Sequence, residues 1–304
     1  MRVAIVGAGL AGLTAARALR KAGLSAVVYD KGRGVGGRIS TRRADGGLQF
    51  DHGAQYLSAE DAGFAAVLSE ARAAGAAGTW ALGLGDDVTV GTPGMSAIAK
   101  YLGAAIDVRQ GVEIPSVTCD GGRYRVAGED YDRVITTVPA PQAISLIGAS
   151  HPLAGALASV VMEPSLTLML ALPASARGFE ALRQPDGDIA WIALDSAKQA
   201  RPGPDCWVAQ AGRQWSRTHL DLEKSEIAQA MLPMVCKLLG ADASKALYVA
   251  GHRWRYAQAS SPLGQPFLAH EGSLFMGGDW ALSDRAEGAW QSGSAMAQAL
   301  LETR

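Results

Sequence analysis

Hydrophobic and polar positions at the start of the chain predict a strand, a helix and a second strand. Residues 3–6 form a short apolar run, an amphipathic stretch with helical spacing follows, and residues 27–29 form a second apolar run that ends at Asp30. This order is typical of a βαβ unit, in which a helix joins two parallel strands.

Further along, helical periodicity alternates with blocks of consecutive strands. Helices are predicted at 60–75, 95–102, 140–158 with a break near Pro152, 222–239 and 287–301. Strands are predicted at 48–50, 165–172, 188–194, 206–211, 246–251 and 273–277, in two segments of 79–92 around a turn at 85–87, and in three or four segments of 106–138. The mixture indicates an α/β fold in which a Rossmann-like domain is interrupted by a mainly antiparallel substrate domain.

Three glycines between the first strand and the first helix have the spacing GxGxxG. Gly7 permits a tight turn, Gly9 lets the backbone approach a pyrophosphate, and Gly12 lets the helix pack on the strand. The helix then directs unpaired N–H groups at the phosphates, and Asp30 lies where an acid accepts hydrogen bonds from an adenosine ribose. The alternative is a structural glycine-rich turn, but the surrounding strand, helix and acid favour a dinucleotide.

A second glycine cluster follows Asp30 in the sequence KGRGVGGRISTRR. Gly36, Gly37 and Arg38 can direct backbone N–H groups and a guanidinium to the far side of the same pyrophosphate. A solvated basic loop is the alternative, and it explains the charges but not the paired glycines. An acid-ended strand followed by GxGGR resembles the FAD signature of the glutathione reductase and amine oxidase superfamily, so we expect FAD.

The end of the chain repeats this strand–turn–helix arrangement. Residues 274–276 form an apolar strand, Gly277 and Gly278 a close-approach turn, and Asp279 a free carboxylate before a helix that starts near Glu287. An ordinary strand–turn–helix with a capping acid is the alternative. Two such motifs in one chain favour a shared cofactor.

Length, charge and cysteine content narrow the functional class. The 304 residues suffice for two modest domains, and we assign 1–60, 92–163 and 264–304 to FAD binding and 61–91 and 164–263 to the substrate. The net charge of −1 argues against nucleic-acid or anionic-membrane partners, and three scattered cysteines fit a reducing compartment without a metal site. No apolar run reaches membrane-spanning length. We therefore expect a soluble cytoplasmic protein, and the oligomeric state stays open.

Taken in order, several motifs make the chain similar to bacterial renalases, which are monoamine-oxidase-type flavoproteins. Beyond the N-terminal fingerprint, the resemblance rests on FDHGAQYLSA (50–59), GTPGMSAIAKYL (91–102), TTVPAPQA (136–143), WSRTHLDL (215–222), HRWRYAQAS (252–260) and GGDWALSDRAEGAW (277–290). It implies oxidation of misreduced nicotinamide dinucleotides, the 2- and 6-dihydro isomers of NAD(P), to NAD(P)+. The hydride would pass to flavin N5, and O2 would be reduced to H2O2.

The same resemblance implies which residues bind FAD. His52 to Gln55 would lie along the flavin, Val112 would contact adenine through its backbone, and Asp279 would contact the ribityl chain. The full set that matches the family pattern is Gly7, Gly9, Ala11, Gly12, Asp30, Lys31, Gly36, Gly37, Arg38, His52, Gly53, Ala54, Gln55, Met95, Val112, Gly278, Asp279, Gly288 and Ala289. Because no cysteine lies near the GGDW segment, we expect noncovalent FAD.

Candidates for the substrate pocket follow from the chemistry of a dihydropyridine. Such a donor has no acidic proton to remove, so the protein needs to stack it on the flavin and exclude water, and we expect no general base. Candidate wall residues are Gln55, Tyr56, Trp254, Tyr256 and His252, and His252 and Arg253 are also candidate phosphate ligands. Packing in the core or at a domain interface is the alternative role for each.

Two other functions stay open at this stage. The wider superfamily shares most of these motifs, so a flavin oxidase or desaturase-type dehydrogenase for a small amine or a polyene is the main alternative. The third is a protein that binds FAD for structure or sensing without turnover.

Overall fold

The computed structural model describes residues 1–82, 88–174 and 178–303. Its helices are α1 (Leu10–Lys21), α2 (Ala62–Ala73), α3 (Ser96–Leu102), α4 (Ala140–Ile147), α5 (Ala154–Ala158), α6 (Arg213–Thr218), α7 (Lys224–Leu239), α8 (Asp279–Leu282) and α9 (Ala286–Glu302). Within these ranges, no helix combines the length and the apolar character needed to cross a bilayer.

The strands of the same ranges are shorter on average than the helices. They are β1 (Val3–Val6), β2 (Ala26–Asp30), β3 (Arg42–Arg43), β4 (Gln49–Phe50), β5 (Ala77–Trp80), β6 (Val88–Gly91), β7 (Asp107–Gln110), β8 (Thr118–Asp120), β9 (Arg123–Val126), β10 (Glu129–Tyr131), β11 (Arg133–Thr136), β12 (Val161–Leu172), β13 (Ala181–Arg183), β14 (Ile189–Leu194), β15 (Asp205–Ala211), β16 (Tyr248–Ser261), β17 (Phe267–His270) and β18 (Leu274–Gly277).

The largest sheet has the strand order β17-β18-β11-β1-β2-β7, and only its edge strand β17 is antiparallel to its neighbour. In the middle of this sheet, Ile5 lies opposite Val28 and Ile135. All four residues of β1 are buried, as expected for a strand that is covered on both faces. Because β1 and β2 are parallel, the glycine-rich turn after β1 and Asp30 at the end of β2 meet at one edge.

A second sheet is antiparallel and has the order β13-β14-β15-β12-β16. One of its faces packs on α7, with Leu168 and Leu170 of β12 in a core that includes Ile227 and Met231. Side chains alternate along a strand, so Thr167 and Met169 face the other way, toward the first sheet and the segment after β4. This second face forms a wall of the site described below.

Three smaller sheets complete the described part of the fold. β5 pairs with β6 beside α2, β3 pairs with β4, and β8, β9 and β10 form a three-stranded meander. The start of α2 is tied to α9, since the Glu287 carboxylate accepts hydrogen bonds from the N–H groups of Glu60 and Asp61 at 2.8 and 2.7 Å.

The structure confirms the predicted fold class and most of the predicted elements. It differs in 106–138, where five strands replace the predicted three or four, and at 246–251, where the strand continues to Ser261. The prediction also missed β13, β17, α6 and α8, which are short or polar and carry little hydrophobic signal. The turn at 85–87 lies outside the described residues. The domain limits stay a prediction.

Candidate functional site

A cavity of about 1590 Å³ lies between the edge of the first sheet and the second face of the antiparallel sheet. Its walls include the turn after β1, residues 36–39, residues 53–58, and parts of β14, β15 and β16. The turn after β18 and the start of α9 also line it. The two ends of the chain therefore meet at one cavity.

The first glycine motif forms the part of this wall at the start of α1. Gly7 has a φ of 108°, a value that favours glycine, and a Cβ at Gly12 would lie 2.0 Å from the Gly7 carbonyl oxygen. A Cβ at Gly9 would meet no protein atom within 4 Å, since it would project into open space. α1 has no side-chain cap, so its first N–H groups are available to an anion. This geometry fits a pyrophosphate.

Asp30 holds the two glycine-rich segments together at this turn. Its carboxylate accepts hydrogen bonds from the N–H groups of Ala8 at 2.6 Å and Gly32 at 2.7 Å. The Gly36 N–H donates to the Ala8 carbonyl oxygen at 2.8 Å. Asp30 still lines the cavity, so its remaining lone pairs can accept hydrogen bonds from ribose hydroxyls.

Asp279 does not offer the free carboxylate that the sequence predicted. Arg38 donates to both of its oxygens, at 2.7 Å and 2.6 Å, and also to the Ala257 carbonyl oxygen at 2.9 Å. The guanidinium that we expected on the pyrophosphate is therefore engaged by the carboxylate that we expected on the ribityl chain. Arg38 and Asp279 pair because opposite charges on one cavity wall attract each other and form charge-assisted hydrogen bonds.

Side chains of the antiparallel sheet fix the segment that follows β4. The His52 carbonyl oxygen accepts hydrogen bonds from Trp254 Nε1 at 2.8 Å and Thr167 Oγ1 at 3.3 Å. The Gly53 carbonyl oxygen accepts one from Gln210 Nε2 at 2.6 Å. The backbone that the resemblance places along the flavin is thus held by donors from the substrate side.

His52, His252 and Trp254 form an aromatic cluster next to this segment. The ring centroid of His52 lies 4.6 Å from that of His252 and 5.1 Å from that of Trp254. Burial lowers the pKa of His52 to about 4, and burial followed by the neighbouring His52 lowers the pKa of His252 to about 3. Both imidazoles are therefore neutral near pH 7, so the aromatic cluster is uncharged.

Four buried charges lie behind the same segment. Asp51 pairs with Arg201 at 2.6 Å and Lys198 at 3.2 Å, and Asp195 pairs with the same two cations at 2.5 and 2.7 Å. Burial opposes the ionisation of Asp51, but the charges of Lys198 and Arg201 outweigh it and hold the pKa of this carboxyl below its ordinary value. Two cations and two carboxylates balance, so the network joins the two parts of the chain without net charge.

Most of the residues predicted to bind FAD lie on the cavity wall. They are Gly7, Gly9, Ala11, Asp30, Lys31, Gly36, Gly37, Arg38, Gly53, Ala54, Gln55, Val112, Gly278, Asp279 and Ala289. Gly12, His52, Met95 and Gly288 lie behind it. Met95 is buried and its N–H donates to Asp51 Oδ1 at 2.9 Å, while a Cβ at Gly288 would lie 2.4 Å from Ser283 Oγ.

The predicted pocket residues share the same cavity. Gln55, Tyr56, His252, Trp254 and Tyr256 all line it.

Arg253, the other candidate phosphate ligand, also lines the cavity, but its guanidinium is held by backbone carbonyl oxygens. Its Nη1 donates to the carbonyl oxygens of Leu220 at 3.1 Å and Leu222 at 3.0 Å. Because side chains alternate along β16, this guanidinium lies on the opposite face from His252 and Trp254.

Several residues of the site escaped the sequence analysis. On the wall they are Arg183, Gln210 and Arg213, and behind it they are Asp51, Asp195, Lys198 and Arg201. A weak signal existed for Gln210, which is the polar position in the otherwise apolar end of β15. Asp195, Lys198 and Arg201 follow one another at intervals of three residues, but their partner Asp51 lies 144 to 150 positions earlier in the chain, so the sequence alone does not connect them.

The described residues fit FAD at this cavity. Besides α1, the helix α9 starts at the wall without a side-chain cap, so a second set of free N–H groups is available to an electron-rich ligand. Cys119, Cys206 and Cys236 are free and do not line the cavity. Within the described ranges, no group of three or more His, Cys, Asp or Glu side chains is placed to hold a metal ion.

Two family models match the chain. Residues 5–71 match the NAD(P)-binding Rossmann-like domain, and residues 57–301 match the flavin containing amine oxidoreductase family. The second match covers most of the chain, and the first covers the glycine-rich turn after β1 and the segment that follows β2.

Solved structures share this fold. A candidate protoporphyrinogen oxidase from Exiguobacterium sp. 255-15 has a TM-score of 0.80 and 14% identity, with coverage of 100% of this chain and 99% of the other. Cyclohexylamine oxidase from Brevibacterium oxydans IH-35A has a TM-score of 0.75 and 13% identity, with coverage of 99% of each chain. A putrescine oxidase bound to putrescine has a TM-score of 0.68 and 14% identity, with coverage of 99% of each chain.

Proposed function

Because this chain belongs to the flavin containing amine oxidoreductase family and is an FAD-dependent oxidoreductase, we propose that it oxidises misreduced dihydronicotinamide dinucleotides. The substrates would be the 2- and 6-dihydro isomers of NAD(P), as the renalase-like motifs imply, and the product would be NAD(P)+. Bound FAD would accept the hydride and pass the electrons to O2, which gives H2O2. A cytoplasmic location is part of the same proposal.

The size and continuity of the cavity carry the proposal. Its volume of about 1590 Å³ exceeds the roughly 300–1,000 Å³ typical of a pocket for one small ligand. The glycine motifs that suit FAD occupy the side formed by the first sheet, and the antiparallel sheet lines the rest. The space therefore suits a second large molecule beside the cofactor.

The residues of the site suit a donor that needs no base. The indole of Trp254 and the imidazole of His252 line the wall. The imidazoles of His252 and His52 are both neutral near pH 7, because the pKa of each is lowered well below 7. A dihydropyridine needs only to be stacked and shielded from water, because loss of its hydride leaves an aromatic ring. Trp254 would orient that ring, since its own Nε1–H is fixed on the His52 carbonyl oxygen.

A small primary amine is the second candidate substrate. Two proteins with a similar fold are named as oxidases of putrescine and cyclohexylamine, and an aromatic wall also suits an alkylamine. A charged ammonium would, however, be repelled by the arginines of the wall, which makes it the less favoured ligand.

Anaerobic reduction of the flavin distinguishes the two candidates. We expect loss of the absorbance of oxidised flavin when borohydride-reduced NAD+, which contains the 2- and 6-dihydro isomers, is added. Enzymatically prepared 4-dihydro-NADH and amines such as putrescine serve as matched donors and should leave the flavin oxidised. Reduction by amines and not by the isomer mixture would contradict the proposal.

A further inference from the structure

One row of side chains crosses the whole antiparallel sheet. The strand register places Arg183 opposite Trp191, Trp191 opposite Gln210, Gln210 opposite Thr167 and Thr167 opposite His252. Four of these five line the cavity, and Thr167 donates to the His52 carbonyl oxygen. With strands 4.7–4.9 Å apart, the row spans about 19 Å.

The row has different chemistry at its two ends. His252 belongs to the aromatic cluster, whereas the edge strand β13 ends with Arg183, which lies 5.6 Å from the Trp191 ring and donates to the Tyr56 hydroxyl at 2.5 Å. A ligand with a flat ring at the first end would extend toward a cation stacked on an indole at the other.

The arginines of the cavity wall differ in how fully they are paired. Arg38, Arg255 and Arg285 form ion pairs with carboxylates. Among the described residues, Arg183, Arg213 and Arg253 line the cavity without a carboxylate within ion-pair distance, and Arg253 is held by the Leu220 and Leu222 carbonyl oxygens. The side chains of Arg183 and Arg213 are exposed and can bind an anion without first breaking an ion pair.

We propose that Arg183 and Arg213 bind the pyrophosphate of the dinucleotide substrate, with Trp191 as the aromatic surface between Arg183 and the rest of the row. This rests on the proposed function and names the part of the substrate that the wall selects. Guanidinium groups match phosphate oxygens in geometry and charge. Asp186 also lines this part of the wall and opposes an anion, but it is exposed on the hairpin between β13 and β14.

The test compares donors with and without phosphates. The donors are the dihydro isomers of NAD+ and the same isomers of nicotinamide riboside, which carries no phosphate. The variants are Arg183→Gln and Arg213→Gln, with Arg125→Gln as the matched control because its guanidinium is exposed, pairs with Asp130 and does not line the cavity. The measurements are single-turnover flavin reduction and calorimetric binding of NAD+, with flavin content and melting temperature as checks on folding.

We expect each of the two variants to bind NAD+ and the dinucleotide isomers about tenfold more weakly, with reduction by the riboside isomers unchanged. Arg125→Gln should match the unsubstituted protein. Suppose that both donors reduce the unsubstituted protein. If the two variants then keep full affinity for both donors, or lose affinity for both donors equally, the pyrophosphate assignment is wrong while the proposed function stands. If neither donor reduces the unsubstituted protein, the function itself is wrong and the assignment falls with it.

Discussion

Arg38 and Asp279, which are 241 positions apart in the sequence, form a bidentate ion pair with N···O distances of 2.7 and 2.6 Å. The pair joins the glycine cluster after β2 to the start of α8, so it closes the cavity wall between the two ends of the chain. Parallel charge-assisted bonds of this kind combine strength with a defined geometry.

Removal of the Asp279 carboxylate will weaken both the fold and FAD retention. Asp279→Ala leaves the partly buried Arg38 guanidinium without its partner, so we expect the free energy of unfolding to fall by about 2–3 kcal/mol. Denaturant titration of the cofactor-free protein and flavin absorbance after gel filtration measure the two effects separately. Arg255→Gln is the control, because its exposed pair with Asp221 should contribute less than about 1 kcal/mol. Unchanged stability and full flavin occupancy would contradict the assignment.

A methyl group at Gly9 will separate cofactor binding from folding. A Cβ there meets no protein atom within 4 Å, and Gly9 has a φ of −77°, so Gly9→Ala should fold with its stability unchanged within about 0.5 kcal/mol. The same methyl would occupy the approach to the pyrophosphate, so FAD should be lost. Gly155→Ala adds a methyl in equally open space on α5 and should keep its flavin. Normal FAD binding by Gly9→Ala would place the pyrophosphate elsewhere.

Trp254 is expected to control flavin reduction through its ring and its hydrogen bond. Trp254→Phe keeps a ring but leaves the His52 carbonyl oxygen to Thr167 alone, and we expect reduction to slow about fivefold; Trp254→Ala should slow it further, with FAD still bound. Stopped-flow reduction by the isomer mixture provides the rates. Trp215→Phe is the control, since Trp215 stacks on His219 away from the cavity. Equal rates for all variants would remove Trp254 from the pocket.

Because the buried histidines are neutral in the fold, we expect the free energy of unfolding to fall on mild acidification. The pKa of His52 is about 4 in the fold against an ordinary 6.5, so the unfolded chain binds more protons between these values. Stability is therefore full above pH 6.5 and falls as the pH drops toward 4, by at most about 3 kcal/mol for this residue. Unfolding at pH 7.5 and 5 measures the change, and His52→Asn should flatten it. If the free energy of unfolding changed equally with pH in the unsubstituted protein and in His52→Asn, His52 would not be a buried neutral imidazole.

Removal of one cation from the buried network of Asp51, Asp195, Lys198 and Arg201 will lower the stability of the fold. Lys198→Met leaves Asp51 and Asp195 with only Arg201 between them, and we expect a loss of about 3–5 kcal/mol in the free energy of unfolding. Asp195→Asn added to Lys198→Met should recover part of it. Arg125→Gln, which removes an exposed pair with Asp130, is the control and should cost less than about 1 kcal/mol. Additive losses in the double variant would show that the charges act independently.

The sequence placed the two glycine-rich segments and the C-terminal turn at one cavity because their signals are local. Gly7, Gly9 and Asp30 lie within one βαβ unit, where turn chemistry and hydrophobic periodicity fix the backbone. The GGD turn near the C-terminus uses the same signals. That both ends line one cavity followed from the parallel order of the strands.

The substrate side was harder because it depends on strand register. Arg183, Gln210 and His252 share a row only through the pairing of β13 to β16, and a shift of one residue would turn them away from the cavity. The link from Asp51 to Lys198 and Arg201 and the Arg38–Asp279 pair likewise join residues that are distant in the chain. The spacing of residues along one sequence does not reveal contacts of this kind.

The hydrogen bonds from Thr167, Gln210 and Trp254 to the His52 and Gly53 carbonyl oxygens limit how such an enzyme can be re-engineered. A chimera that exchanges the antiparallel sheet for that of a homologue would strip three donors from the backbone beside the cofactor unless those side chains are grafted along with it. New specificity at this scaffold is therefore best sought at the rim, around Arg183 and the hairpin that follows, where residues can be exchanged without unseating the segment after β4.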